Sequence, residues 1–83
     1  MTLGERVLVL RRRLKLSQSM LGRASGIDAN TIARLERGEL NDLAGSRIVK
    51  LARALQVSTD VLLGVVDMDE PERESESLAA LAS

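Results

Sequence analysis

The stretch Leu16-Ser17-Gln18-Ser19-Met20-Leu21-Gly22-Arg23-Ala24-Ser25-Gly26-Ile27-Asp28-Ala29-Asn30-Thr31-Ile32-Ala33-Arg34-Leu35-Glu36-Arg37-Gly38 decides the fold. Ser17 has the hydroxyl of an N-cap, able to accept from a free amide of the helix that follows. That helix is expected over about residues 18–25, with Leu21 and Ala24 facing inward. Gly22 costs a helix about 1 kcal/mol against alanine, so its presence points to the close approach of another helix. Gly26 suits the positive φ with which helices commonly end. Asp28 then reads as the cap of a third helix, about residues 29–37, with Ile32 and Leu35 inward and Gly38 as its stop.

The flanks extend the same pattern. Leu3, Val7, Leu10 and Leu14 recur at spacings of four, three and four, one face of a first helix. Arg6, Arg11, Arg12, Arg13 and Lys15 fall on or beside its other faces. Ser46 is expected to cap a fourth helix that runs to about Leu55 with Ile48, Val49, Leu51, Ala52 and Leu55 as its apolar set. Ser58 or Thr59 opens a fifth, carrying Val61, Leu62 and Leu63 and closed by Gly64. No segment alternates with period two for long, so the expected class is all-α, and helices joined by short connections suit a short chain. A body of residues 1–66 buries only ~60% of its unfolded surface, so a second copy would help its stability.

The 83 residues carry 12 basic and 12 acidic side chains, and the resulting zero hides a division. Residues 1–66 hold eleven basic residues against six acidic ones, a charge of +5. Residues 67–83 hold Arg73 against six acids, a charge of −5. The chain therefore reads as a basic domain, 1–66, joined to an acidic tail, 67–83. The tail is expected to be either a disordered, solubilising segment or a short helix begun near Pro71, with Leu78 and Leu81 free to dock on a partner. Cys, His, Phe, Tyr and Trp are all absent. Disulfides, thiolate metal sites and the usual general base are thereby excluded, and so is base stacking on aromatic rings, the common way of holding single strands. No nucleophile–base pair, phosphate-cradling loop or metal cluster is visible, so neither an enzyme nor a cofactor is expected. The first ten residues lack a signal-peptide pattern and no apolar run approaches a membrane span, which predicts a cytoplasmic protein.

Three residues separate Ala24 from Asp28, the spacing of a helix-turn-helix whose second helix enters the major groove. With Leu16-Ser17-Gln18, Gly26-Ile27, Thr31-Ile32, Leu35-Glu36-Arg37-Gly38, Lys50-Leu51-Ala52-Arg53-Ala54-Leu55 and Val57-Ser58-Thr59-Asp60-Val61-Leu62-Leu63-Gly64 in the same order and register, the chain resembles the Cro and phage-repressor type helix-turn-helix family, also called the xenobiotic response element (XRE) family. The resemblance covers about residues 3–64. It implies a five-helix, lambda-repressor-like DNA-binding domain, usually a dimer on a palindromic operator, and here a transcriptional repressor. It implies base contacts by Gln18, Ala29, Asn30 and Arg34, and phosphate contacts by Thr31 and Arg37. It also implies a buried structural pair between Arg11 and Glu36. The loop after Gly38 departs from the family, which often has a basic residue and a proline there. Here it holds Glu39 and Asp42, and Leu40 and Leu43 need cover, expected from a dimer interface or a protein partner.

The side chains have the chemistry those roles need. Arg34 can give two parallel hydrogen bonds to guanine O6 and N7, and Asn30 can pair with adenine N6 and N7. Ala29 can touch a thymine methyl. Gln18 begins a helix, where free amides and the dipole favour a phosphate. Arg23, Arg47 and Lys50 join Arg37 as phosphate candidates, because backbone contacts need only charge and reach. The competing reading is a protein-interaction module, such as an antitoxin or adaptor, using the same fold. Such a module has no need of Gln18, Asn30 and Arg34 together.

Overall fold

The structure is a computed structural model and describes residues 1–68. Pro71, Leu78, Leu81 and most of the acidic tail lie outside the described residues. Among the described residues five helices follow one another: α1 Leu3–Arg13, α2 Gln18–Ser25, α3 Ala29–Glu36, α4 Gly45–Ala54 and α5 Thr59–Leu63. Leu3, Val7 and Leu10 of α1, Leu21 of α2, Ile27 in the turn, Ile32 and Leu35 of α3, Ile48, Leu51 and Ala52 of α4, with Leu55 and Leu62, form one buried cluster. Leu14, the fourth residue of the first apolar stripe, is only half-buried at the end of α1.

Local chemistry sets most of the boundaries. Thr2 and Glu5 form a reciprocal capping box at the start of α1, each side chain accepting the other's backbone N–H at 3.1 Å. Ser17 caps α2 by accepting from the Met20 amide, and Ser58 caps α5 by accepting from Val61. Gly26 and Gly64 end α2 and α5 in the left-handed region. Arg6 reaches from α1 to the end of α5, donating from Nε to the Leu62 carbonyl at 2.7 Å and from Nη2 to the Leu63 carbonyl at 3.2 Å. It satisfies carbonyls that the short helix leaves open.

Four expectations are corrected. The fourth helix begins at Gly45, not after Ser46: the Ala44 carbonyl accepts from both Arg47 and Ile48, which draws Gly45 and Ser46 into the first turn. Ala24 is exposed, and Ser25 takes the inward position. A buried serine is tolerated because its hydroxyl donates to the Leu21 carbonyl at 2.7 Å and accepts from the Ile27 amide at 3.3 Å. Val49 and Leu63, expected in the core, are exposed, since each lies beyond the buried stripe of its helix. Asp28 occupies the cap position of α3 but its side chain makes no cap bond; α3 ends at Glu36, with Arg37 as its C-cap.

Among the described residues, two non-glycine residues lie at positive φ, Lys15 at 57° after α1 and Gln56 at 61° after α4. The left-handed region costs an L-residue roughly 1–2 kcal/mol, of which glycine's larger unfolded-state entropy returns roughly half. Lys15→Gly and Gln56→Gly are each expected to stabilise the domain by about 0.5–1 kcal/mol. The check is a higher urea midpoint with an unchanged slope.

Candidate nucleic-acid interface

The helix-turn-helix is built by two close approaches. A Cβ on Gly22 would lie 2.8 Å from the Ile27 carbonyl oxygen and 3.4 Å from the Ala29 nitrogen. The glycine therefore makes room for the turn and the first residue of α3. A Cβ on Gly4 would lie 1.7 Å from the Leu35 carbonyl oxygen, inside any possible contact. The backbone of α1 thus rests directly on the last turn of α3. Nothing in the local sequence pattern around Gly4 signals this, because the partner is 31 residues away.

One polar cluster fastens the same end of α3. Arg11 donates from Nε to Glu36 Oε2 at 2.7 Å and from Nη2 to Oε1 at 2.9 Å, a bidentate pair. Its Nη1 donates to the Leu16 carbonyl at 2.8 Å. The side chains of Arg11 and Glu36 are only 12% and 5% exposed. Gln18 joins them, its Nε2 donating to Glu36 Oε1 at 3.0 Å. Burial pushes the Glu36 carboxyl up, but the bonds from Arg11 and Gln18 and the charges of Arg11 and Arg12 outweigh it and hold the group below its ordinary value. The bond to Glu36 likewise raises the Arg11 guanidinium. The family resemblance implies the pairing of Arg11 with Glu36; it does not reveal that Gln18 shares their carboxylate.

Asn30 and Arg34 lie one turn apart on α3 and are exposed, with no side-chain hydrogen bond or ion pair among the described residues. Ala29 and Thr31 flank Asn30 and are half-buried. Arg23 on α2 is exposed beside a shallow depression bounded by Ser19, Gly22, Gly26, Ile27, Asp28 and Ala29. The uncapped first turn of α3 opens there. Arg37 is also exposed but already engaged, its Nη2 and Nε donating to Glu39 Oε2 at 2.7 and 3.1 Å. So exposed a pair contributes little to stability, and a phosphate must compete with Glu39 for this guanidinium. Arg47 and Lys50 are exposed on α4, and Arg53, three residues further on, extends their spacing and is absent from the sequence assignment.

What this geometry defines is a five-helix domain with a helix-turn-helix, whose second helix presents to solvent polar side chains without partners among the described residues. A helix-turn-helix family model matches residues 9–62. The chain belongs to the helix-turn-helix family, of the XRE or phage-repressor type. It is 38% identical over 61 residues to repressor protein C2 of Salmonella phage P22, a match covering 74% of this chain and 28% of that protein. It is 32% identical over 71 residues to an uncharacterized transcriptional regulator in the ATPase CF(0) region of Rhodospirillum rubrum, covering 86% of this chain and 65% of that one. Among solved structures, the P22 c2 repressor in complex with the synthetic operator 9T, determined in the presence of Tl+, superposes with a TM-score of 0.69 at 36% identity. That match covers 76% of this chain and 94% of the repressor chain. Among the described residues no helix is long and apolar enough to cross a membrane.

Proposed function

We propose that this chain is a DNA-binding transcriptional regulator, a repressor that binds a palindromic duplex operator as a dimer. The observation that carries the reading is the outward face of α3, where Asn30 and Arg34 stand free of partners on a helix anchored by the Gly4 approach and the Arg11–Glu36 pair. Free polar side chains on a rigid helix suit base-edge contact, while Arg23, Arg47 and Lys50 supply backbone charge. The relative solved on operator 9T supports duplex DNA as the ligand.

Leu40 and Leu43, expected to need a second copy as cover, are half-buried and already packed against the chain's own core. The exposed apolar residues at the end of α5, Leu63 and Val65, are better placed to meet a second copy. A two-fold dimer imposes two half-sites about 10–10.5 base pairs, or a multiple, apart. Selection of bound sequences from a random duplex pool is expected to enrich such a palindrome. Enrichment of a single unpaired half-site would remove the dimer, and enrichment of no motif would leave the interaction-module reading in place of the regulator.

A further inference from the structure

We propose that the acidic segment 69–83 docks on the basic surface of its own chain, over Arg23, Arg34, Arg47, Lys50 and Arg53, and so competes with DNA for those cations. The contact itself stands on charge and reach; its consequence rests on the reading of this chain as a duplex-DNA binder.

The cations that would receive the segment are open. Arg6 is spent on the Leu62 and Leu63 carbonyls, Arg11 on Glu36 and the Leu16 carbonyl, and Arg37 on Glu39. Arg23 on α2, Arg34 on α3, and Arg47, Lys50 and Arg53 on α4 are exposed and make no hydrogen bond or ion pair among the described residues. α2 packs against both α3 and α4, so the five belong to adjoining helices. The acids of the domain are largely engaged elsewhere. Glu5 accepts from the Thr2 amide, Glu36 and Glu39 are taken by arginines, and Asp42 accepts from the Leu43 amide. Like charges left unneutralised on neighbouring helices repel one another and attract an acidic partner.

The chain carries such a partner. Residues 1–68 hold eleven basic residues against seven acidic ones, a charge of +4. Residues 69–83 hold Arg73 against Asp69, Glu70, Glu72, Glu74 and Glu76, a charge of −4. Met68 packs against the core, which fixes the point where the acidic segment leaves the domain. All five carboxylates follow within eight residues, which span up to roughly 27 Å, about the width of a domain of this size. The adjoining basic helices therefore lie within reach. A tethered segment meets them at an effective concentration on the order of millimolar, which a free acidic chain does not match. Each exposed ion pair is weak and screened by salt, so duplex phosphates can displace the segment.

The test uses the full chain with the five carboxylates neutralised: Asp69→Asn, Glu70→Gln, Glu72→Gln, Glu74→Gln and Glu76→Gln. Wild type and variant are compared by nitrogen–proton correlation NMR without DNA, at about 50 mM salt, where screening is weak. The amide signals at and beside the five cations are expected to differ between the two chains and to converge as salt is raised. Differences confined to the neighbourhood of the substituted residues overturn the proposal, because the segment then only adds charge. So do differences at the cations that grow with protein concentration, which mark docking on a second copy. With a random duplex, the wild type is expected to bind about fivefold or more weakly than the variant at about 50 mM salt, the gap falling below about twofold near 0.5 M. Equal affinities at low salt overturn the competition with DNA. If neither chain binds duplex DNA while the NMR differences are present, the DNA-binding reading fails and the docking stands.

Discussion

Gly4→Ala is expected to lower the melting temperature by roughly 15–20 °C, or to leave the chain largely unfolded at ambient temperature. A single methyl group at this position overlaps the Leu35 carbonyl oxygen at 1.7 Å and the carbonyl carbon at 2.5 Å. The obstacle is backbone, so no side-chain rotation relieves it. α1 must lift from α3, and both carry core residues: Leu3, Val7 and Leu10 on one, Ile32 and Leu35 on the other. Overpacking of this kind costs about 3 kcal/mol, a large share of the ~5 kcal/mol available to a small domain. At roughly 4–8 °C per kcal/mol for a domain of this size, the shift follows. Gly45→Ala supplies the contrast. It also sits in the first turn of a helix, but its Cβ would meet nothing within 4 Å. The same chemical change there is expected to be neutral or stabilising by up to about 1 kcal/mol. Far-UV circular dichroism melts of the two variants check both signs. A Gly4→Ala melt within a few degrees of wild type would remove the close α1–α3 approach.

Arg11→Ala is the second large effect. Removing the guanidinium leaves the Glu36 carboxylate, 5% exposed, with only the Gln18 amide as partner, and frees the Leu16 carbonyl as well. Breaking one side of a buried pair costs about 3 kcal/mol. At a slope of about 1 kcal/mol per molar urea, the midpoint falls by roughly 2–3 M. The pH dependence distinguishes this cause from simple loss of packing. In the wild type the folded-state pKa of Glu36 lies below its ordinary value of 4.5. The unfolded chain therefore binds the proton more readily, and the stabilisation is present above that value and lost as pH falls through the folded pKa. In Arg11→Ala the bond and charge of Arg11 no longer hold Glu36 down while burial still pushes it up, so its folded pKa rises from the wild-type position. The stabilisation that ionisation of Glu36 supplies in the wild type is correspondingly reduced at neutral pH. The stability gap between wild type and variant is thus expected to narrow as the solution is acidified. A gap constant from neutral pH down to the carboxylate range would contradict the pair's electrostatic role.

The parts of the fold legible in the sequence are those that depend on near neighbours. The four–three spacing of Leu3, Val7 and Leu10 gives a helix face, and Ser17, Ser58, Gly26 and Gly64 mark helix ends by chemistry acting within a turn. Ser46 misleads because a serine near a helix start attracts the cap assignment, while the choice here is made by the Ala44 carbonyl. Ser25 and Ala24 exchange places because a hydroxyl that bonds to its own helix is no longer a polar burden in the core. The contacts that hold the helices against one another join distant residues: Gly4 with Leu35, Arg6 with Leu62, Gln18 with Glu36. Periodicity carries no signal for these. Arg11 and Glu36 were accessible only through family resemblance, and the third member of that cluster was not.

The same limit applies to the site. Exposure of Asn30 and Arg34 follows from their position opposite Ile32 and Leu35, which the helical period alone supplies. The coupling of Arg37 to Glu39 follows from the departure of the loop from its family, three residues beyond the helix. What a helical period does not supply is the fixed orientation of α3, which comes from a glycine and a carboxylate at its C-terminal end.

As proposed above, α3 reads duplex DNA with Asn30 and Arg34. The most direct measurement is selection from random duplex DNA by the wild type, Asn30→Ala and Arg34→Ala in parallel. Each bidentate side chain discriminates its base by roughly 1–3 kcal/mol. The expected result is one motif for the wild type, with a guanine position relaxed in Arg34→Ala and an adenine position relaxed in Asn30→Ala, the rest of the motif retained. A wild-type motif that both variants reproduce unchanged would show that α3 does not read the bases through these residues.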